Sequence, residues 1–285
     1  MPKNKNFNPR QGEIPGIAER KNEAIGQEKI KEIKPFRTRK GSVYVRGSDS
    51  IFKISRSKFN NFLQCKRCFY LERVKGLKDP SMPGWSLNSA VDELLKKEFD
   101  EFRKKQKPHT FVKKNNLNLV PFQHDQIDYW RNALRGGISF LDTNTNIEIH
   151  GGVDDLWFDP ETKELVVVDY KAQSNNTPVE TKSYLSNIYH QGYKIQMDIY
   201  VHILRRMNFK VSDTAYFYVC NGDKNYKKFD GALNFTTTLV PYQTNTSWID
   251  QKIIEMKQTL DSETVPEINK SCEKCMYLSA GKDFI

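Results

Sequence analysis

The stretch Gly151–Ala172, GGVDDLWFDPETKELVVVDYKA, constrains the fold more tightly than any other. Its two apolar runs are short, rich in β-branched and aromatic residues, and joined by DPETKE, whose proline and charges suit a turn. That is the pattern of an antiparallel hairpin. Centring the turn on Glu161 and Thr162 sets Asp154 opposite Asp169 and Gly152 opposite Lys171. Opposed residues project from the same side of a sheet with Cβ atoms about 5 Å apart, and Lys171 shares that side with Asp169 because strand side chains alternate. Gly151 and Gly152 are expected to leave the backbone open to a bulky ligand.

Two carboxylates this close repel each other, which raises one pKa unless a cation lies between them. A divalent ion makes both charges favourable. Oxygen-only ligation suits Mg²⁺ or Mn²⁺, which keep several waters and can take a substrate phosphate in open positions. Lys171 then stands where it can orient or help deprotonate the attacking water and stabilise charge on the phosphate. The adjacent Asp155 reads as a strand-edge residue, solvated or paired with a lysine.

Lys and Arg number 45 against 35 Asp and Glu, a formal charge of +10 that favours a polyanionic partner such as nucleic acid. No stretch approaches the roughly 18–20 consecutive apolar residues of a membrane span, and the N-terminus lacks a signal-peptide core, so a cytoplasmic location without a membrane partner is expected.

Residues 1–50 are poor in large apolar groups and are expected to form a flexible basic arm, in which RTRKGSVYVRG is a candidate phosphate contact; residues 51–285 form the folded domain. Within the domain a helix is expected from Ser55 to Gly76. A second begins near Ser86, with Val91, Leu94, Leu95, Phe99 and Phe102 as its buried stripe and Asp92 beside it. A third covers HDQIDYWRNALRGGISFL. NIEIHGGVDDLWF and ELVVVDYKA read as strands, Lys182–Arg206 as one long helix carrying His190 and His202 as structural residues, FKVSDTAYFYVC and GALNFTTTLV as strands, and SWIDQKIIEMKQTL as a closing helix. Helices flanking a mixed sheet make a three-layer α/β/α domain. The lysines around Tyr226 in VCNGDKNYKKF suit either a solvated turn or a hairpin that tracks a phosphate backbone.

Three motifs occur in order: Gly-x-x-Asp at Gly151–Asp154, Asp-x-Lys at Asp169–Lys171, and Gln-x-x-x-Tyr at Gln196–Tyr200. The set resembles the PD-(D/E)xK nuclease superfamily, and its RecB-like branch in particular, over about residues 55–280. The resemblance implies a restriction-endonuclease-like α/β/α core with a mixed central sheet and added helical, cysteine-bearing regions toward both ends. It implies that Asp154, Asp169 and the backbone carbonyl of Tyr170 bind the catalytic Mg²⁺ or Mn²⁺ and that Lys171 is the catalytic lysine. Gln196 and Tyr200 would position substrate or the lysine. Many relatives place a metal-binding histidine on the helix before the sheet, where this chain has Asp92, so Asp92 becomes the implied ligand. The implied activity is divalent-metal-dependent hydrolysis of DNA phosphodiester bonds, of the RecB-like exonuclease type, in DNA repair or with a helicase, recombination or CRISPR partner. The alternative is a nucleic-acid-binding module on the same fold with weak or lost turnover.

Four of five cysteines fall into two C-x-x-C pairs, Cys65/Cys68 and Cys272/Cys275, leaving Cys220 as a small buried apolar residue. Four thiolates complete one metal shell where two bind weakly, so the pairs are expected to meet and staple the ends of the domain. Several RecB-like nucleases split a [4Fe–4S] cluster between N- and C-terminal cysteines as one plus three. The two-plus-two division here leaves [4Fe–4S], Zn²⁺ and free thiols all open.

Overall fold

A serine at the end of a short strand starts the first helix. In the computed structural model, which describes residues 37–80, 84 and 86–281, strand β1 (Phe52–Ser55) runs directly into helix α1 (Arg56–Gln64). The Ser55 hydroxyl accepts the Lys58 amide and caps that helix. The helix expected to reach Gly76 is interrupted at Cys65, whose backbone is extended (φ −159°, ψ 103°) and whose sulfur accepts the Cys68 amide. Cys65 therefore caps a new helix, α2 (Lys66–Arg73), and both cysteines sit at its N-terminal end.

Helices α3 (Ser86–Lys105) and α4 (Thr110–Lys114), strand β2 (Val120–Pro121) and helix α5 (Ile127–Trp130) follow. The helix expected through HDQIDYWRNALRGGISFL is confined to α5. The positive φ of Gly137, 105°, turns the chain there, and Ile138–Asp142 forms strand β3. Strands β4 (Ile147–Gly151), β5 (Asp155–Asp159) and β6 (Glu164–Gln173) come next. The expected long helix divides into α6 (Thr181–Ser186), a 3-10 turn capped by the Asn187 side chain, and α7 (Gln191–Arg206). Strands β7 (Thr214–Gly222) and β8 (Phe235–Gln243) and helices α8 (Ile249–Asp261) and α9 (Glu273–Gly281) complete the described chain.

The strands form a three-stranded sheet ordered β1-β4-β3 and a five-stranded sheet ordered β2-β5-β6-β7-β8. Both are mixed: β1 pairs parallel with β4 and β6 with β7, the remaining pairs being antiparallel. NIEIHGGVDDLWF is thus two strands in two sheets, divided at residues 152–154. Across β5 and β6, Asp155 pairs with Val168 and Asp159 with Glu164, the register read from the turn, and its continuation sets Asp154 against Asp169.

The glycines at the division serve packing rather than a ligand, contrary to expectation. A Cβ on Gly151 would lie 2.7 Å from the Tyr200 ring, and one on Gly152 would lie 2.7 Å from the Ala133 amide nitrogen. Protein fills the space.

Alternation along β6 sorts its side chains between two helical layers. Val166, Val168 and Tyr170 pack with Leu95 and Phe99 of α3, whereas Leu165 and Val167 join Met197, Ile199 and Val201 of α7 on the opposite face. The result is the restriction-endonuclease-like α/β/α sandwich, with the cysteine-bearing helices α2 and α9 added at either end of the chain. Cys220 is buried in the α3-side core, as its apolar reading required. Of the expected arm, residues 1–36 lie outside the described residues. Residues 37–50 are docked: Tyr44 is buried and donates to Asp261 at 2.6 Å, and Arg46 bonds to Glu263 at 3.2 Å. Residues 37–50 thus belong to the same compact unit as the two sheets. No helix of the described residues is long and apolar enough to cross a membrane.

Candidate active site and cysteine centre

The same alternation that buries Val167 turns Asp169 and Lys171 toward α7. Asp169 is fully buried; its Oδ1 accepts the Gln196 amide at 2.5 Å, and its Oδ2 pairs with the Lys171 ammonium. Asp154, just outside β5, is oriented by the Tyr170 backbone amide, which donates to its Oδ2 at 2.9 Å. Lys171 Nζ also lies 4.5 Å from the centre of the Tyr193 ring, a cation–π contact that fixes its second side. Asp154, Lys171 and Tyr193 line a cleft of about 620 Å³ together with Arg56, Asn88, Asp92 and Tyr170. Asp154, Lys171 and Asp92 are therefore brought together at one opening, with Asp169 buried behind Lys171.

The electrostatics call for a cation. Burial, then the charge of Asp169, pushes the Asp154 carboxyl up to about 7. Burial and Asp154 likewise raise Asp92, although Lys96 holds its Oδ2 at 2.8 Å. Asp92 Oδ1 is buried without a hydrogen-bond partner. A hard divalent ion meets all three conditions, and the donor set, carboxylates beside a backbone carbonyl, is the kind such ions take. Burial alone would lower the Lys171 pKa, but Asp169 and Asp154 overcome it and hold the ammonium above its ordinary value.

Gln196 and Tyr200 are buried and do not reach the cleft surface. Tyr200 donates to the Gly152 carbonyl at 2.6 Å, and Gln196 approaches the Tyr200 hydroxyl at 3.3 Å while holding Asp169. They therefore brace the two acid-bearing segments rather than face a substrate. Gln196→Ala is expected to weaken Mn²⁺ binding about 10–100-fold, the range seen when a partner that orients a metal ligand is lost, with little change in fold. Calorimetric titration of Mn²⁺ measures it. Should affinity be unchanged, Gln196 does not orient Asp169.

Asp155 departs from its reading as a solvated or lysine-paired residue. It is fully buried, pairs with Arg103 Nη2 at 2.5 Å and accepts the Tyr170 hydroxyl at 2.8 Å. It belongs to the core beneath the site. His202 stacks edge-on against Phe140, and His190 lies nearly parallel to the Tyr193 ring at 5.2 Å, so both are packing residues. Tyr193 and Arg56 are cleft residues that the motifs do not name. Tyr193 was legible, since Tyr193, Gln196 and Tyr200 share one helix face at i, i+3 and i+7. Arg56 carries no such signal; it reaches the site only because β1 delivers α1 beside β4.

The two C-x-x-C pairs meet as expected. Cys65 and Cys275 sulfurs lie 3.5 Å apart, Cys68 and Cys275 3.6 Å, and Cys68 and Cys272 3.7 Å, with all four sulfurs within 4.8 Å of one another. This quartet can hold a metal ion.

No curated protein matches the chain. A crystal structure from Eubacterium rectale, of a protein provisionally named an exonuclease, is similar at 12% identity and a TM-score of 0.36, covering 79% of this chain and 87% of that one. The PD-(D/E)XK nuclease superfamily model matches residues 53–280, which take in both sheets but for the first residue of β1, and both cysteine pairs. The chain belongs to the PD-(D/E)XK nuclease superfamily.

Proposed function

We propose that this nuclease hydrolyses DNA phosphodiester bonds in the cytoplasm with a divalent ion held by Asp154, Asp169, the Tyr170 carbonyl and Asp92. The observation that carries the reading is the convergence of Asp154, Asp92 and Lys171 on one cleft, with a buried Asp92 oxygen lacking any protein partner. A bound Mg²⁺ or Mn²⁺ supplies Lewis acidity and an activated water. Lys171, held between Asp169 and Tyr193, faces the cleft where a phosphate must lie and stabilises the negative charge that develops on its oxygens. Gln196 keeps Asp169 in one orientation, so no reorganisation is needed as the reaction proceeds.

The β7–β8 hairpin supports a single strand as the bound form. Ser174, three residues beyond Lys171, donates to the Gly222 carbonyl at 2.8 Å and so ties the hairpin base to the cleft strand. The tip presents Tyr226 and Phe229, 61% and 75% exposed, among Lys224, Lys227 and Lys228. Aromatic faces interleaved with ammonium groups can stack bases while neutralising phosphates.

The test is digestion of DNA and RNA labelled at either terminus, single-stranded and duplex, with EDTA or with Mg²⁺ or Mn²⁺. Metal-dependent loss of DNA from one terminus is expected, as an exonuclease of the RecB-like type requires. Internal cuts would replace that type with an endonuclease. Binding without metal-dependent cleavage would assign the chain to the binding-module alternative.

A further inference from the structure

We propose that Cys65, Cys68, Cys272 and Cys275 hold one zinc ion in a closed tetrathiolate site, not a four-iron cluster, and that this ion docks the C-terminal helix. The inference does not depend on the catalytic assignment. Its first support is the size of the sulfur tetrahedron. Zinc–thiolate bonds of about 2.3 Å place the sulfurs of a tetrahedral site about 3.8 Å apart. The close pairs here are separated by 3.5, 3.6 and 3.7 Å. A cubane binds each thiolate at a different iron corner, which opens the same tetrahedron to about 6 Å. The longest separation allowed by this quartet, 4.8 Å, falls short of that.

The second support is local backbone geometry. Cys65 caps α2, its sulfur accepting the Cys68 amide at 3.4 Å, and Cys68 lies in the first turn, so the helix start fixes both sulfurs on one side. Cys275 enters from α9 and is as buried as Cys65, so the site is closed on the protein side as a structural zinc site should be.

The docking role follows from what else holds α9. Cys275 is its one buried residue, while Met276, Tyr277 and Leu278 are 44%, 80% and 47% exposed. Among the described residues, the polar contacts of α9 and of residues 266–272 before it are an ion pair between Lys274 and Asp79, the Arg67 guanidinium on the Pro266 carbonyl at 2.7 Å, and the Asn269 amide on the Gln64 carbonyl at 3.2 Å. So few polar contacts hold a nine-residue helix weakly, whereas a shared ion ties it covalently to α2.

The full chain, purified anaerobically from cells supplied with both iron and zinc, tests the proposal by elemental analysis and visible absorbance. About one zinc per chain in a colourless protein is expected, and exchange with Co²⁺ should give the intense visible bands of a tetrahedral thiolate site. Cys272→Ser should lower the bound zinc, and the Co²⁺ spectrum of the unaltered chain gives the same answer if that variant does not fold. Chelation should make limited proteolysis between Asp261 and Cys272 about tenfold faster while the core resists. Iron with acid-labile sulfide and a brown colour would overturn the zinc assignment, as would metal-free protein in which Cys65, Cys68, Cys272 and Cys275 are all freely alkylated. Equal proteolysis before and after chelation would overturn the docking role.

Discussion

Asp169→Asn and Lys171→Ala are each expected to slow DNA cleavage by about 10³-fold under single-turnover conditions, with circular dichroism unchanged. The two effects differ in origin. Asp169 contributes a buried carboxylate whose one oxygen is held by Gln196 and whose other faces Lys171, so the asparagine keeps the shape and removes the charge proposed to bind the ion. Lys171→Ala leaves both carboxylates in place and removes the ammonium proposed to balance charge on the phosphate. Mn²⁺ affinity should therefore fall for Asp169→Asn and hold or rise for Lys171→Ala. Rates within threefold of the unaltered protein for both variants would place the chemistry elsewhere.

The neighbouring acids Asp154 and Asp155 should respond in opposite directions. Asp155→Ala removes a carboxylate that serves Arg103 at 2.5 Å, the Tyr170 hydroxyl at 2.8 Å and the Leu156 amide at 2.8 Å. Breaking a buried, hydrogen-bonded pair by deleting one member costs about 3–5 kcal/mol, because the remaining charge stays buried. For a domain of this size that lowers Tm by about 10 °C.

Asp154→Asn should instead stabilise the metal-free protein above pH 7. The folded-state pKa of Asp154 lies at about 7, above its ordinary 3.8, so the native state keeps a proton that the unfolded chain releases. Stability from this group therefore declines as pH rises between those values and stays low above them, and a neutral asparagine escapes the loss. The same substitution should abolish cleavage, a stability gained at the expense of the site. Urea denaturation at pH 8 separates the cases: equal effects from the two substitutions would mean that the acids share one role.

The hairpin register was legible because turn chemistry and period-two alternation are local, and together they fixed which carboxylates oppose each other. The division of NIEIHGGVDDLWF between two sheets was not legible. At that division Tyr200 and Ala133, from distant segments, close on Gly151 and Gly152, and no local pattern announces them. The break at Cys65 escaped for another reason: a thiol serves there as an N-cap, a position where sequence patterns point to serine, threonine, aspartate or asparagine. Asp155 was misread because its partner Arg103 comes from α3, on a face its own strand pattern does not reveal. The cysteine pairs announced their chemistry by spacing, but only the fold brings the two ends together.

Titration of Mn²⁺ into the metal-free protein, followed calorimetrically at pH 8 and pH 6, tests most directly whether the clustered carboxylates hold a divalent ion. Binding is predicted at pH 8, weaker at pH 6 because Asp154, with its pKa near 7, must then release a proton, and lost in Asp169→Asn. Equal binding by the unaltered protein and Asp169→Asn at both pH values would contradict the account.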